Sequence, residues 1–212
     1  MYSLIIDLTL SYSPAIAGFS GEVEKTIQRD GWNASMLHIY SHAGTHIDAP
    51  IHFGSGDLTV DELPVERLMG RAWVVNICIA DDQQMITKKD FEKYADKIEY
   101  GDSIIIKTGW HQFVYDKKYR KSLPRISEDL AHWFVEKRIN MLVVESPSIA
   151  DVNNIHEVAL IHRILFNGSV IIVEGITNTG NLTAEMVEII ALPLKIERGD
   201  GARARVIAIQ KD

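Results

Sequence analysis

Thiols are nearly absent from this sequence. Its one cysteine, Cys78, has no second thiol to pair with, and its place in the run WVVNICIA makes it read as a small core residue. Basic residues are in deficit, with 22 Lys and Arg against 29 Asp and Glu and a net charge of -7, so no electrostatic footprint exists for a nucleic-acid backbone or an anionic membrane. The first ten residues carry no Lys or Arg and include Asp7, unlike the basic start of a secretory leader, which makes the cytoplasm the expected location. No apolar run approaches the roughly 20 residues that cross a bilayer. The G-x-S-x-G elbow, the G-x-G-x-x-G turn and the G-x-x-x-x-G-K-[ST] loop are also missing, which removes the main sequence support for serine-hydrolase, dinucleotide and nucleotide chemistry.

What is present is the composition of a chain able to bury a core: 46% of the 212 residues are hydrophobic and 24% charged. That length is expected to form one domain over residues 1–212. Ile- and Val-rich blocks alternate with segments of helical spacing, the pattern of an α/β fold. Strands are expected at 4–9, 36–40, 72–79, 103–107, 141–145, 170–174, 192–196 and 204–209, several of them buried on both faces. Helices are expected at 87–95, 127–137 and 154–166, with a short one beginning at Pro64. The stretch 12–33, with three glycines and no sustained period, reads as a surface arm or a lid, and Gly199-Asp200-Gly201 reads as the turn of a closing antiparallel hairpin.

The informative segment is His42-Ala-Gly-Thr-His46-Ile-Asp48-Ala-Pro-Ile-His52. On a helix Asp48 would lie roughly 200° around from His46, and Gly44 and Pro50 both oppose a helix. In a straight strand His42 and His46 would stand roughly 13 Å apart. Sharing one ion, with bonds of about 2.0–2.2 Å, therefore needs a bent backbone, and Gly44 is the residue that permits it. Two imidazoles and a carboxylate suit zinc, manganese or iron and not copper(I), which prefers thiolates. Farther along, Glu174 ends the apolar run SVIIVE, where an ionised carboxylate needs a partner. His162 falls on the same helical face as Val158 and Leu165 and points inward, so it and Glu174 are candidates for a second shell or a second ion. His38, His111 and His132 have no assigned role, and His156 reads as a surface residue.

Residues 42–52 match every fixed position of H-x-G-T-H-x-D-x-P-x-H, and the chain thereby resembles the cyclase family of metal-dependent hydrolases, which includes arylformamidases (kynurenine formamidases) and isatin hydrolases. The resemblance extends through Asp7-Leu8-Thr9, Leu63-Pro64, Gly101-Asp102, Thr108-Gly109-Trp110, Ser146-Pro147-Ser148 and the pair His162 and Glu174. It implies a swivelling β/β/α domain with a mixed sheet core, assembled as a homodimer or homotetramer. It implies Zn2+ or Mn2+, one or two ions per chain, with His42, His46 and Asp48 as ligands of the first, Asp48 and Glu174 as bridging carboxylates, His162 on the second, and His52 as general acid/base. The expected activity is hydrolysis of an amide-type C–N bond in a small linear or cyclic molecule, with Phe19 and Trp110 as candidate substrate contacts. The alternatives are a kynurenine formamidase proper and a non-catalytic, metal-dependent ligand-binding protein of the same fold. Kynurenine formamidases usually carry a Trp within a Trp-Pro-Gly-Asp-like stretch of the N-terminal arm; here the region reads Ala-Ile-Ala-Gly-Phe19-Ser.

Overall fold

The computed structural model describes residues 3–211. In chain order the elements are β1 (Ser3–Asp7), β2 (Phe19–Lys25), α1 (Ile27–Asp30), β3 (Ala34–Ile39), β4 (His46–Asp48), β5 (Met69–Asn76), β6 (Met85–Ile86), β7 (Ser103–Lys107), α2 (Lys118–Lys121), β8 (Arg125–Ile126), α3 (Glu128–Lys137), β9 (Met141–Val144), α4 (Ile155–Asn167), β10 (Ile171–Glu174), β11 (Met186–Pro193) and β12 (Gly201–Lys211). Short 3-10 turns cover Pro50–Phe53, Val65–Leu68 and Lys88–Tyr94.

An eight-stranded mixed sheet runs β1-β12-β11-β5-β7-β9-β10-β4, and β12 also pairs with β4, closing the sheet on itself. Strands β5, β7, β9 and β10 are mutually parallel, whereas β11, β12 and β4 pair antiparallel with their neighbours. Because the strands are buried on both faces, they read as continuous apolar runs. Ala72, Val74, Ile105, Val143 and Val173 point into the closed barrel, and the alternate residues Trp73, Val75, Ile106, Leu142 and Ile172 face a second core built with α3 and α4. This is the expected α/β domain with a mixed sheet core.

Both long helices are capped at their N-termini. Ser127 accepts from the Leu130 amide before α3 and Asn154 from the Glu157 amide before α4. Four expectations are corrected. The segment 87–95 is a 3-10 run rather than an α-helix. The strand expected at 192–196 is β11, six residues earlier at its start, where Val187, Ile189 and Ala191 are the buried alternate positions. Within 12–33, β2 pairs with β3 as a two-stranded ribbon outside the main sheet. Cys78 lies past the end of β5 and is exposed, because the chain leaves the sheet at Asn76.

Candidate metal centre

The motif bends as its sequence requires. Gly44 has φ of +63°, and a Cβ there would lie 2.8 Å from the Tyr12 hydroxyl, which donates to the carbonyls of Ala43 at 2.5 Å and Thr45 at 3.1 Å. After the bend, β4 pairs with β10 so that His46 lies opposite Glu174. The Thr45 hydroxyl donates to the Gly175 carbonyl at 2.6 Å, tying the bend to the end of β10. Since Ile47 points into the barrel, His46 and Asp48 point outward with Glu174, toward α4. From that helix His162 completes the set, 2% exposed.

Each ring is oriented by its outer nitrogen. His46 Nδ1 donates to the Gly44 carbonyl at 2.9 Å and His162 Nδ1 to the Val158 carbonyl at 2.6 Å. A carbonyl only accepts, so each Nδ1 carries a proton and each Nε2 faces the carboxylates, available to ligate a cation when the ring is neutral. His46 Nε2 is 3.3 Å from Asp48 Oδ1 and 3.4 Å from Glu174 Oε2. His162 Nε2 is 3.5 Å from Asp48 Oδ2 and 3.4 Å from Glu174 Oε1. Two atoms bound at about 2.1 Å to one tetrahedral ion stand about 3.4 Å apart, so these spacings suit ligands sharing a cation better than direct hydrogen bonds. His42 extends the cluster, with Nδ1 2.6 Å from Asp48 Oδ1. Donor atoms of His42, His46 and Asp48 lie within 4.8 Å of one another, as do those of Asp48, His162 and Glu174, and Asp48 belongs to both groups.

Two adjacent buried carboxylates demand positive charge. Burial opposes ionisation of Asp48, yet hydrogen bonds from His162, His42 and His46 hold it well below the usual range, and Glu174 is lowered despite burial and the nearby Asp48 charge. Conversely, burial disfavours the imidazolium of His46, but Asp48 and Glu174 push it up to about 10; the same balance takes His162 to about 9. A nitrogen and oxygen donor set with this demand fits a divalent ion.

His52 lies outside that cluster. It sits on the 3-10 turn after β4, its ring stacked on His42 at 3.8 Å between centroids and 22° between planes, with burial holding its pKa below the ordinary value. The rings of His42 and His52 and the buried donors line a cavity of about 130 Å³. Next to it opens a larger cavity of about 520 Å³, whose walls include Ile16, Tyr115 and Tyr119; His42, Arg120 and Pro147 line both. Trp110 does not line either: it is 2% exposed, packs with Tyr119 and Leu123, and gives its indole N–H to the Tyr119 carbonyl at 3.0 Å. Phe19 packs on Tyr12 at 5.5 Å and is also absent from both walls. Neither expected substrate contact thus lines these two cavities.

Three residues escaped the sequence reading. Glu145 ends the apolar run of β9 as Glu174 ends that of β10, and accepts from the Thr108 and His111 amides and the hydroxyls of Thr108 and Thr179. That signal was available. Asp200 reaches His42 from a turn read as purely structural, and Arg120 carries no local motif at all.

A family model described as "Putative cyclase" matches residues 6–151, more than half of the chain. The chain belongs to the cyclase family. Among its cyclase-family relatives, a kynurenine formamidase of Bacillus thuringiensis (strain Al Hakam) is 29% identical over 195 residues, 92% of this chain and 88% of that one. Isatin hydrolase A from Labrenzia aggregata superposes with a TM-score of 0.88 at 21% identity, covering 99% of this chain and 94% of the other. A protein from Bacillus stearothermophilus described as a predicted metal-dependent hydrolase superposes with a TM-score of 0.80 at 23% identity over the full length of both chains. The structural likenesses show the shared fold.

Proposed function

We propose that this cyclase-family chain is a divalent-metal-dependent hydrolase of amide-type C–N bonds in small molecules. The observation that carries the reading is the convergence of His46, Asp48, His162 and Glu174, four buried donors from three separate elements at spacings suited to a shared cation, with the half-buried His42 joining them from the bend before one of those elements. His42, His46 and Asp48 would hold one zinc or manganese ion, and Asp48, His162 and Glu174 a second. Such an ion, when bound, lowers the pKa of water from 15.7 toward about 7 and polarises a carbonyl.

The chain's own groups do the rest. Asp48 and Glu174, both buried, balance the cationic charge. His52, on the cavity wall and outside the donor set, takes a proton from the attacking water and delivers it to the departing nitrogen. The walls formed by Ile16, Tyr115 and Tyr119 accept the apolar body of a ring-containing substrate. Kynurenine formamidase activity proper is the second reading, favoured by the formamidase relative that aligns over 92% of this chain and 88% of its own.

We assign the protein to the cytoplasm, in keeping with an exposed free thiol at Cys78, and to a homodimer or homotetramer. The oligomer is supported by the β2–β3 ribbon, which leaves Val23, Trp32, Met36 and Leu37 at least half exposed.

The test is turnover of a panel of formanilides and lactams by zinc- and manganese-loaded protein and by His52→Ala. Wild type is expected to hydrolyse members of the panel, while His52→Ala keeps its metal and loses about 10²–10⁴-fold in kcat. A fully active His52→Ala removes His52 from the mechanism; metal-loaded wild type that binds these amides without cleaving them is a binding protein.

A further inference from the structure

The larger cavity has a charged wall that the proposed chemistry does not use. Lys117, Arg120 and Lys121 line it together with the apolar Ile16. Lys117 already has helical φ and ψ before α2, and on a helix positions i, i+3 and i+4 share a face, so residues 117, 120 and 121 project together. The two residues between them leave that face. The Lys118 ammonium lies 3.5 Å from the Phe113 ring centroid and 3.7 Å from Asp82, and Tyr119 is buried with its hydroxyl donating to the Glu145 carbonyl at 2.7 Å. The tyrosine anchors the turn, and the three cations are left at the opening.

Among the described residues, no Asp or Glu oxygen lies within 4.0 Å of the Lys117, Arg120 or Lys121 nitrogens, whereas Lys118 and Arg125, close in sequence, are both paired. The one acid on this wall, Asp116, accepts from the Lys118 amide at 2.8 Å. Three cations and one anion thus line a single cavity of a chain whose net charge is -7. A recess of that sign concentrates anions.

Arg120 differs from the two lysines because it also lines the smaller cavity, beside Asp48, His52, His162 and Glu174. It stands where the reacting end of a bound molecule and its body meet. A guanidinium presents two parallel N–H groups that match a carboxylate, a fit that an ammonium lacks. An uncharged substrate filling the recess would strip water from this group without replacing its hydrogen bonds.

We propose that Arg120 sets the charge of the substrate: the amide cleaved carries a carboxylate, held by the Arg120 guanidinium where the cavities join, with Lys117 and Lys121 drawing the anion in. This rests on the hydrolase reading above and narrows its substrate class.

The experiment uses the zinc-loaded full chain and two pairs of compounds that differ only in charge. The first pair is 3-(formamidophenyl)propanoate, as ortho and meta isomers, and the corresponding neutral propanamides, compared by kcat/KM. The second is 3-phenylpropanoate and 3-phenylpropanamide, compared by calorimetric Kd. Wild type is expected to favour the carboxylate member of each pair about 10- to 100-fold, the range of a charge-assisted hydrogen-bonded contact. The ratio should fall toward one in Arg120→Gln, through KM more than kcat, and be partly kept in Arg120→Lys; added salt should shrink the wild-type ratio. Wild-type ratios near one in both pairs overturn the inference, as do ratios that Arg120→Gln leaves unchanged, which would place the carboxylate on zinc instead; hydrolysis of the formanilides in either case leaves the hydrolase reading standing. Wild type that binds 3-phenylpropanoate through Arg120 but cleaves none of the formanilides keeps Arg120 as the anion contact and counts against the hydrolase reading.

Discussion

Glu145 shows how a single buried side chain organises its surroundings. Its carboxylate is fully enclosed at the end of β9, yet hydrogen bonds from His111 and Thr179 outweigh burial and hold its pKa below the ordinary 4.5. A group depressed in the folded state contributes stability that is complete above its unfolded value and is lost as pH falls through its folded value. Glu145→Gln should therefore cost about 1–3 kcal/mol at neutral pH, since the amide cannot accept from all the donors aimed at that site, and the gap to wild type should narrow as pH drops below 4.5. Urea titrations at pH 7 and across the acid range check this; a gap that is constant with pH would contradict it. At this scale the sequence was informative wherever burial could be inferred locally. An acid ending an apolar run identified Glu174 and identifies Glu145 by the same logic. Asp200 was illegible as a site residue because its partner, His42, lies 158 positions away, and Gly-Asp-Gly by itself is a turn. Trp110 and Phe19 were read as pocket residues on their aromatic character, but the cavity is walled by residues such as Tyr119 that Trp110 supports from behind.

Elements buried on both faces were the readable ones. Strands β5, β7, β9 and β10 appear in the sequence as uninterrupted Ile and Val blocks because the barrel interior and the helix layer claim alternate residues of each. Helices α3 and α4 lie where helical spacing places them, α4 with Val158, His162 and Leu165 on its buried face. Of the β2–β3 ribbon β3 was legible, as the strand expected at 36–40, but β2 was not, because neither face is buried within the chain and no alternation is imposed on it. Trp32, in the connection between the two strands, is 56% exposed and Met36 on β3 53%, which makes them the residues to test for the assembly proposed above. Replacing both, as Trp32→Asp with Met36→Glu, should lower the mass measured by light scattering from that of a dimer or tetramer to that of the monomer, with the barrel still folded by circular dichroism. An assembly of unchanged mass would show that another face holds the subunits together.

Across the whole molecule, the site exists because the sheet closes. β12 reaches β4 as well as β11, so the motif strand becomes the seam of the barrel, with Glu174 on one side of it and the Asp200 turn on the other. Closure presses His46 and Asp48 outward beneath α4, which supplies His162, and the two buried carboxylates of the resulting cluster are balanced by the imidazolium form of its histidines or by a cation in their place. Nothing in one strand or helix specifies that arrangement, which is why the motif suggested its ligands while the barrel that assembles them came only with the fold. The most direct test is elemental analysis of tag-free protein, in moles of transition metal per mole of chain. At least one zinc or manganese per chain as purified, rising to two on reconstitution, is the predicted result. Protein that remains metal-free after reconstitution with both ions would contradict the account at its centre.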